Sequence, residues 1–173
     1  MTPEQFTSLW KHSPMTRYAI PADAREGMSE SDFRALTDFG LPRDAEPWLH
    51  FTAMKTPEGA LSGRGLFPVG SLANGSVICL QNATGQLLII DSDEPDEPWI
   101  LNSSLEALYG SIVVFDAFMA DVNRRNPRFA ADFRIPHGML GELEDRLTEC
   151  DPDAMEAGGF WFLELKALDD STL

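Results

Sequence analysis

The chain has 173 residues with 13 Lys and Arg against 28 Asp and Glu, a formal charge of −15. That length suits one domain, 1–173, able to bury about two thirds of the surface its unfolded chain exposes without disulfide or metal staples. The acidic excess argues against a nucleic-acid or anionic-membrane binder, whose targets demand a basic patch, and makes a basic protein the natural counterpart.

Cys79 and Cys150 have no metal-ligand spacing, and no basic n-region leads into an apolar h-region at MTPEQFTSLW. No run nears the ~18 apolar residues of a membrane span, so a reducing cytoplasm is the expected setting. Thr2-Pro3-Glu4-Gln5 predicts a helix start, with Thr2 as cap, Pro3 at the first helical position and Gln5 closing a capping box; Phe6, Leu9 and Trp10 form its apolar face. Pro14 and Pro21 disfavour a helix between residues 13 and 28, which reads as an extended connector. A second helix is capped by Ser29, carries Glu30 and Asp32 at its positive end and buries Phe33, Leu36 and Phe39 before Gly40 and Leu41-Pro42 stop it.

Residues 48–54 predict a strand, followed by a glycine-rich connection through Gly59, Gly63 and Gly65 to Leu66-Phe67-Pro68-Val69-Gly70, where Pro68 marks an edge strand or a strand end. Residues 76–80 and 86–91 form a hairpin around Asn82-Ala83-Thr84-Gly85, with Gly85 left-handed. Asn74-Gly75 resembles a type I′ turn, so residues 66–101 read as an antiparallel meander of about four strands.

The last of these strands, Trp99-Ile100-Leu101, runs through Asn102-Ser103-Ser104 into the longest helical pattern in the chain. Ser103 suits the N-cap and Glu106 the third helical position, and Leu105, Leu108, Ile112, Phe115, Met119 and Val122 recur on one face of about five turns. Asn123 to Arg128 is the one basic cluster, and Pro127 and Pro136 bracket a stretch without an assigned element. A third helix is expected over about 138–148 with Met139, Leu140, Leu143 and Leu147 inward. Asp151-Pro152 restarts a helix until Gly158-Gly159. Residues 160–168 fit either a strand or one helical face, and helix is the preferred reading.

Catalytic and cofactor patterns are weak throughout. In Gly63-Arg64-Gly65-Leu66-Phe67-Pro68 a proline replaces the third glycine of a dinucleotide loop, and no strand-to-helix context follows. The acidic run Asp91, Asp93, Glu94, Asp96, Glu97 lacks the turn glycine of a calcium loop and places Pro95 at the third ligand position. It reads as a solvated turn or as a docking patch for a basic protein. His12, His50 and His137 have no metal spacing, Cys79 lies in a strand without a visible base, and the cap explains Ser103-Ser104. No catalytic, metal or cofactor-binding residue is therefore assigned, and no enzyme activity is expected. Trp10, Trp48, Trp99 and Trp161 are assigned to the core, the alternative being one exposed Trp that anchors an interface.

Taken together, 36–42 (LTDFGLP), 66–71 (LFPVGS), 77–91 (VICLQNATGQLLIID), 99–106 (WILNSSLE) and Asp151-Pro152 with Trp161 downstream resemble the SUKH superfamily. The likeness is greatest to its branch of bacterial immunity proteins that guard against polymorphic toxins. The resemblance implies an α+β fold, with helices packed on one face of a bent antiparallel sheet of about five or six strands, and binding rather than catalysis. The acidic insert before Trp99 and the Arg-rich loop after the long helix depart from the family pattern. Toxin contacts vary within the superfamily, so no site residue carries over by position.

The interface is therefore expected from charge: Asp91, Asp93, Glu94, Asp96 and Glu97 as one patch, and Asp151, Asp153 and Glu156 as a second. The partner is a cognate, basic toxin domain, a nuclease or nucleic-acid deaminase whose active site or substrate groove is occluded. The free form is expected to be a monomer in the bacterial cytoplasm, without nucleic-acid or membrane partners and without cofactors. The rival reading is a SUKH-type adaptor that scaffolds endogenous proteins without a toxin, distinguished by the absence of an adjacent toxin gene. A third, an unrecognised hydrolase, lacks any assembled constellation.

Overall fold

The first turn forms as its residues dictate. In the computed structural model, which describes residues 1–53, 64–132 and 134–170, Thr2 Oγ1 accepts from the Gln5 N–H, and Gln5 Oε1 accepts from the Thr2 N–H. This box opens α1 (Pro3–Leu9). Phe6 is buried and stacks on Trp10, four residues on; that row fills the contact, and Leu9, expected inward, is 61% exposed.

The connector contributes β1 (Met15–Thr16), and Ser29 caps α2 (Glu30–Arg34) by accepting from the Asp32 N–H. The expected regular helix does not continue to Phe39: Ala35–Phe39 is a wider π turn, closed by the Gly40 N–H on the Ala35 carbonyl at 2.7 Å. Gly40 has φ +80°, and a Cβ there would lie 2.2 Å from the Thr16 carbonyl oxygen. Only glycine fits this terminator. It delivers β2 (Leu41–Pro42), which pairs antiparallel with β1 as a separate ribbon.

The main sheet is antiparallel and in sequence order: β3 (Asp44–Ala45), β4 (Leu49–His50), β5 (Leu66–Leu72), β6 (Val77–Gln81), β7 (Leu87–Ile90) and β8 (Trp99–Asn102). The strand expected over 48–54 shrinks to β4, because Trp48 has φ +61° and cannot join the ladder; Met54, Gly59 and Gly63 lie outside the described residues. Pro68 lies in an inner strand rather than an edge. Its missing N–H is harmless because β4 reaches only Ser71 and Leu72, and the register with β6 shifts between Pro68 and Gly70. The turn at 74–75 is not type I′, which needs two positive φ values. Only Gly75 has one, at +94°, and its N–H donates to the Leu72 carbonyl at 3.0 Å. Gly85 takes the expected left-handed conformation.

The side-chain alternation of the strands separates two faces. Ile78, Leu80, Leu87, Ile89 and Leu101 point into the main core, whereas Cys79 and Ile90 form a smaller cluster with Leu66 and Val77 on the opposite face.

The main core is closed by α3 (Leu105–Arg125), with Leu105, Leu108, Ile112, Phe115 and Val122 buried and Met119 half-buried. The Tyr109 hydroxyl donates to the Gly40 carbonyl at 2.7 Å, tying α3 to the glycine terminator. The N-cap is Ser104, not Ser103: Ser104 Oγ accepts from the Ala107 N–H, so Glu106 stands one position too early for a capping box. Beyond α3, the unassigned stretch holds the short α4 (Phe129–Asp132). It leads to α5 (Met139–Cys150), where Met139, Leu143 and Leu147 are buried and Leu140 is half-buried.

Residues 160–168 are helical, within α6 (Phe160–Asp170). Trp161 is buried with its ring 5.7 Å from that of Phe115, and burial of such an aromatic contributes about 3 kcal/mol. The result is an α+β fold in which α3, α5 and α6 pack together over one face of a curled sheet.

Candidate functional site

The opposite face of the sheet carries an apolar row that runs to the β8 edge, where part of the second acidic patch lies. Cross-strand register aligns Pro68 with Cys79, Cys79 with Leu88 and Leu88 with Ile100. These residues therefore form one apolar row on the face away from the helices. Leu88 and Ile100 are only half-buried. At the β8 edge the row ends in an open groove of about 460 Å³, lined by Leu88, Pro98, Trp99, Ile100, Asp153 and Glu156 among others.

The acidic turn leads into this groove through Pro98. Asp91 shapes it, with one carboxylate oxygen accepting from the Asp93 N–H at 2.9 Å and the other from the Ser76 hydroxyl at 3.4 Å. Asp93, Glu94, Asp96 and Glu97 are exposed. Arg64 is the cation against the turn among the described residues, donating to the Pro95 carbonyl at 2.8 Å and lying 3.5 Å from Asp96. The fold thus brings Asp153 and Glu156, more than fifty positions away, beside the strand that the first patch precedes. An apolar centre with a polar, charged rim is the usual anatomy of a protein interface.

Asp151 does not belong to this surface. It is 1% exposed, and its Oδ2 accepts from Asn102 Nδ2 at 2.8 Å and from the Ser103 N–H at 2.7 Å. Asn102 also donates to the Ser111 hydroxyl and accepts from the Trp161 indole N–H at 3.0 Å. Asp151 therefore ties together β8, the start of α3 and α6. It does not cap the next element, a 3₁₀ turn over Asp153–Met155 that replaces the expected helix and carries the second patch.

A second concave region was not foreseen. Among the tryptophans, Trp10 and Trp161 are buried and Trp99 is half-buried, but Trp48 is 62% exposed. Its φ of +61° is costly for a bulky residue, by about 1–3 kcal/mol. Trp48 borders an open pocket of about 570 Å³ shared with Trp10, His12, Asp44, Glu46, His50 and Asp116. There His50 Nδ1 lies 2.9 Å from Asp44 and His12 Nε2 3.2 Å from Asp116. The one hint in sequence was Pro47 directly before Trp48, a turn signal at the start of the expected strand.

The remaining candidates have structural partners. Arg124 and Arg125 pair with Asp121 at 2.9 and 3.5 Å, and Arg124 holds that carboxyl below the usual carboxylate range. Burial pushes the Cys79 thiol up to about 12, opposed by the Arg64 guanidinium, and burial also raises the Cys150 thiol, so both are held as thiols at neutral pH. Among the described residues no three His, Cys, Asp or Glu side chains are grouped to hold a metal.

No curated protein and no solved structure gives a significant match to the chain. A family model described as SUKH-4 immunity protein matches residues 1–163. This agrees with the resemblance carried by the glycine terminator, the hairpin and the WILNSSLE segment, and with the curled sheet under its helices. The chain belongs to the SUKH-4 immunity protein family, and with that family it shares a role in protection against a toxin.

Proposed function

We propose that this immunity protein neutralises its toxin by laying the outer face of β5–β8 over a basic substrate groove. The observation that carries this reading is the half-buried apolar pair Leu88 and Ile100 in a groove lined by Asp153 and Glu156, with the exposed carboxylates Asp93, Glu94, Asp96 and Glu97 on the turn that leads into it through Pro98. A toxin that acts on nucleic acid, a nuclease or a base deaminase, presents a cationic groove complementary to that rim. Long-range attraction speeds encounter, and the desolvated apolar row sets the lifetime of the complex. The protein acts by binding, as a monomer before it meets the toxin, in the bacterial cytoplasm. It binds neither nucleic acid nor membrane, because the same charge repels both.

Co-expression with the product of the neighbouring gene is the direct test. The expected result is growth rescue and co-purification of the two proteins, both lost when Leu88→Asp and Ile100→Asp are combined. Rescue that survives this pair would remove the sheet face from the mechanism. A locus without a toxin gene, together with capture of endogenous proteins, would favour the adaptor reading.

A further inference from the structure

We infer that the Trp48 pocket is a second contact surface, which accepts a cationic side chain, foremost an arginine guanidinium, from a loop of the protein partner. The pocket is bordered by the exposed Trp48 indole, with Asp44, Glu46 and Asp116 around it and no Lys or Arg among its lining residues. Asp44 and Asp116 each meet one histidine, and Glu46 is exposed with no ion pair among the described residues. A guanidinium suits this combination: its plane stacks on an indole face while its N–H fork reaches carboxylates on either side. An ammonium is a more strongly hydrated point charge and loses the stacking.

The Trp48 turn itself favours an external occupant over burial within the chain. Pro47 is buried, whereas the next residue is turned out to solvent at φ +61°. A second copy of this chain is the wrong occupant by charge, since it would bring another −15 toward a carboxylate-lined pocket. The surface is also separate from the sheet-face groove. Its β3–β4 wall is at one end of the sheet order and β8 is at the other, so β4 and β8 are four strand spacings, about 19 Å, apart along the sheet. The inference rests on the immunity reading only for the identity of the loop's owner.

The pocket chemistry is testable without the toxin. N-acetyl-arginine methylamide and its neutral isostere N-acetyl-citrulline methylamide are titrated into ¹⁵N-labelled protein while the four indole N–H signals are followed. The expected result is a saturable shift of the Trp48 signal by arginine, at least about tenfold weaker with citrulline and weakened again in Asp44→Asn. Equal shifts from both probes, or no shift at Trp48, overturn the proposal. With the co-purified toxin domain, Trp48→Ala is expected to raise Kd at least about tenfold, as loss of an interface anchor does, with Trp48→Phe falling between. An unchanged Kd in both variants overturns the pocket while leaving the immunity reading intact, and a Trp48-dependent dimer in light scattering assigns the pocket to self-association instead. Circular dichroism of each variant separates these outcomes from misfolding.

Discussion

The acidic turn at 91–97 and Asp151 look equivalent in sequence, both being carboxylates beside a proline, yet the fold uses them in opposite ways. The turn projects four exposed carboxylates into solvent, where water screens them and attraction acts at long range. Asp151 is buried against Asn102 and Ser103, where the same charge holds three elements together at short range. The turn is therefore placed to govern how fast a partner arrives. Asp151 governs whether the patch bearing Asp153 and Glu156 is in position at all. A negative charge has no fixed role; its distance from water assigns one.

The largest expected effect tests the buried side of this contrast. Asp151→Ala removes the acceptor of one Asn102 amide N–H and of the Ser103 N–H and is expected to cost about 3 kcal/mol, lowering the thermal midpoint by roughly 6–12 °C. Asp151→Asn keeps an acceptor and loses less. If Asp151→Ala melted like the parent protein but bound toxin more slowly, the contrast would collapse.

Next in size is the exposed side. Replacing Asp91, Asp93, Glu94, Asp96 and Glu97 together with Ser or Asn is expected to slow toxin association by about tenfold at low salt and to flatten its salt dependence. The unfolding midpoint should fall only slightly, since the four exposed positions are near neutral and Asp91 alone gives up hydrogen bonds, from the Asp93 N–H and the Ser76 hydroxyl. Unchanged stopped-flow kinetics would remove the turn from the interface.

A smaller effect is expected at alkaline pH. Burial raises the phenol pKa values of Tyr18 and Tyr109, whose hydroxyls donate to the Val69 and Gly40 carbonyls. The folded state keeps both protonated while the unfolded chain releases their protons near pH 10. Their stabilisation is thus intact below about pH 10 and is lost as pH rises toward the raised folded values. Urea midpoints measured from pH 8 to 11 should fall, and Tyr109→Phe should start about 1 kcal/mol lower but fall less steeply. A flat profile would contradict the burial of these phenols.

The smallest signal is chemical. At pH 8 a thiol reagent should label the half-buried Cys150 before the buried Cys79, which becomes reactive only on unfolding. The reverse order would contradict the burial of Cys79.

Much of the fold was legible because its signals are local. Thr2 and Ser29 cap as their neighbours require, Gly40 and Gly85 adopt positive φ where the chain must turn, and the residue periods distinguish the β5–β8 meander from α3. The errors share one cause. Ser104 takes the cap expected of Ser103, whose N–H is held instead by Asp151, 48 residues later. Trp48 left the core because its backbone turns out beside the buried Pro47, although its apolar neighbours matched a strand. Of the site, both exposed acidic patches were visible as composition, but not the apolar row, which exists only through the register of four strands.

The sequence by itself determined the starts of α1 and α2, the long α3, the hairpin order, the charge and the family signature, because capping, turn chemistry and hydrophobic period act within a few residues. Tertiary structure alone decided which carboxylate is buried, which tryptophan faces water and that Asp153 and Glu156 line a groove with Leu88 and Ile100. Burial is set by contacts between residues far apart in the chain.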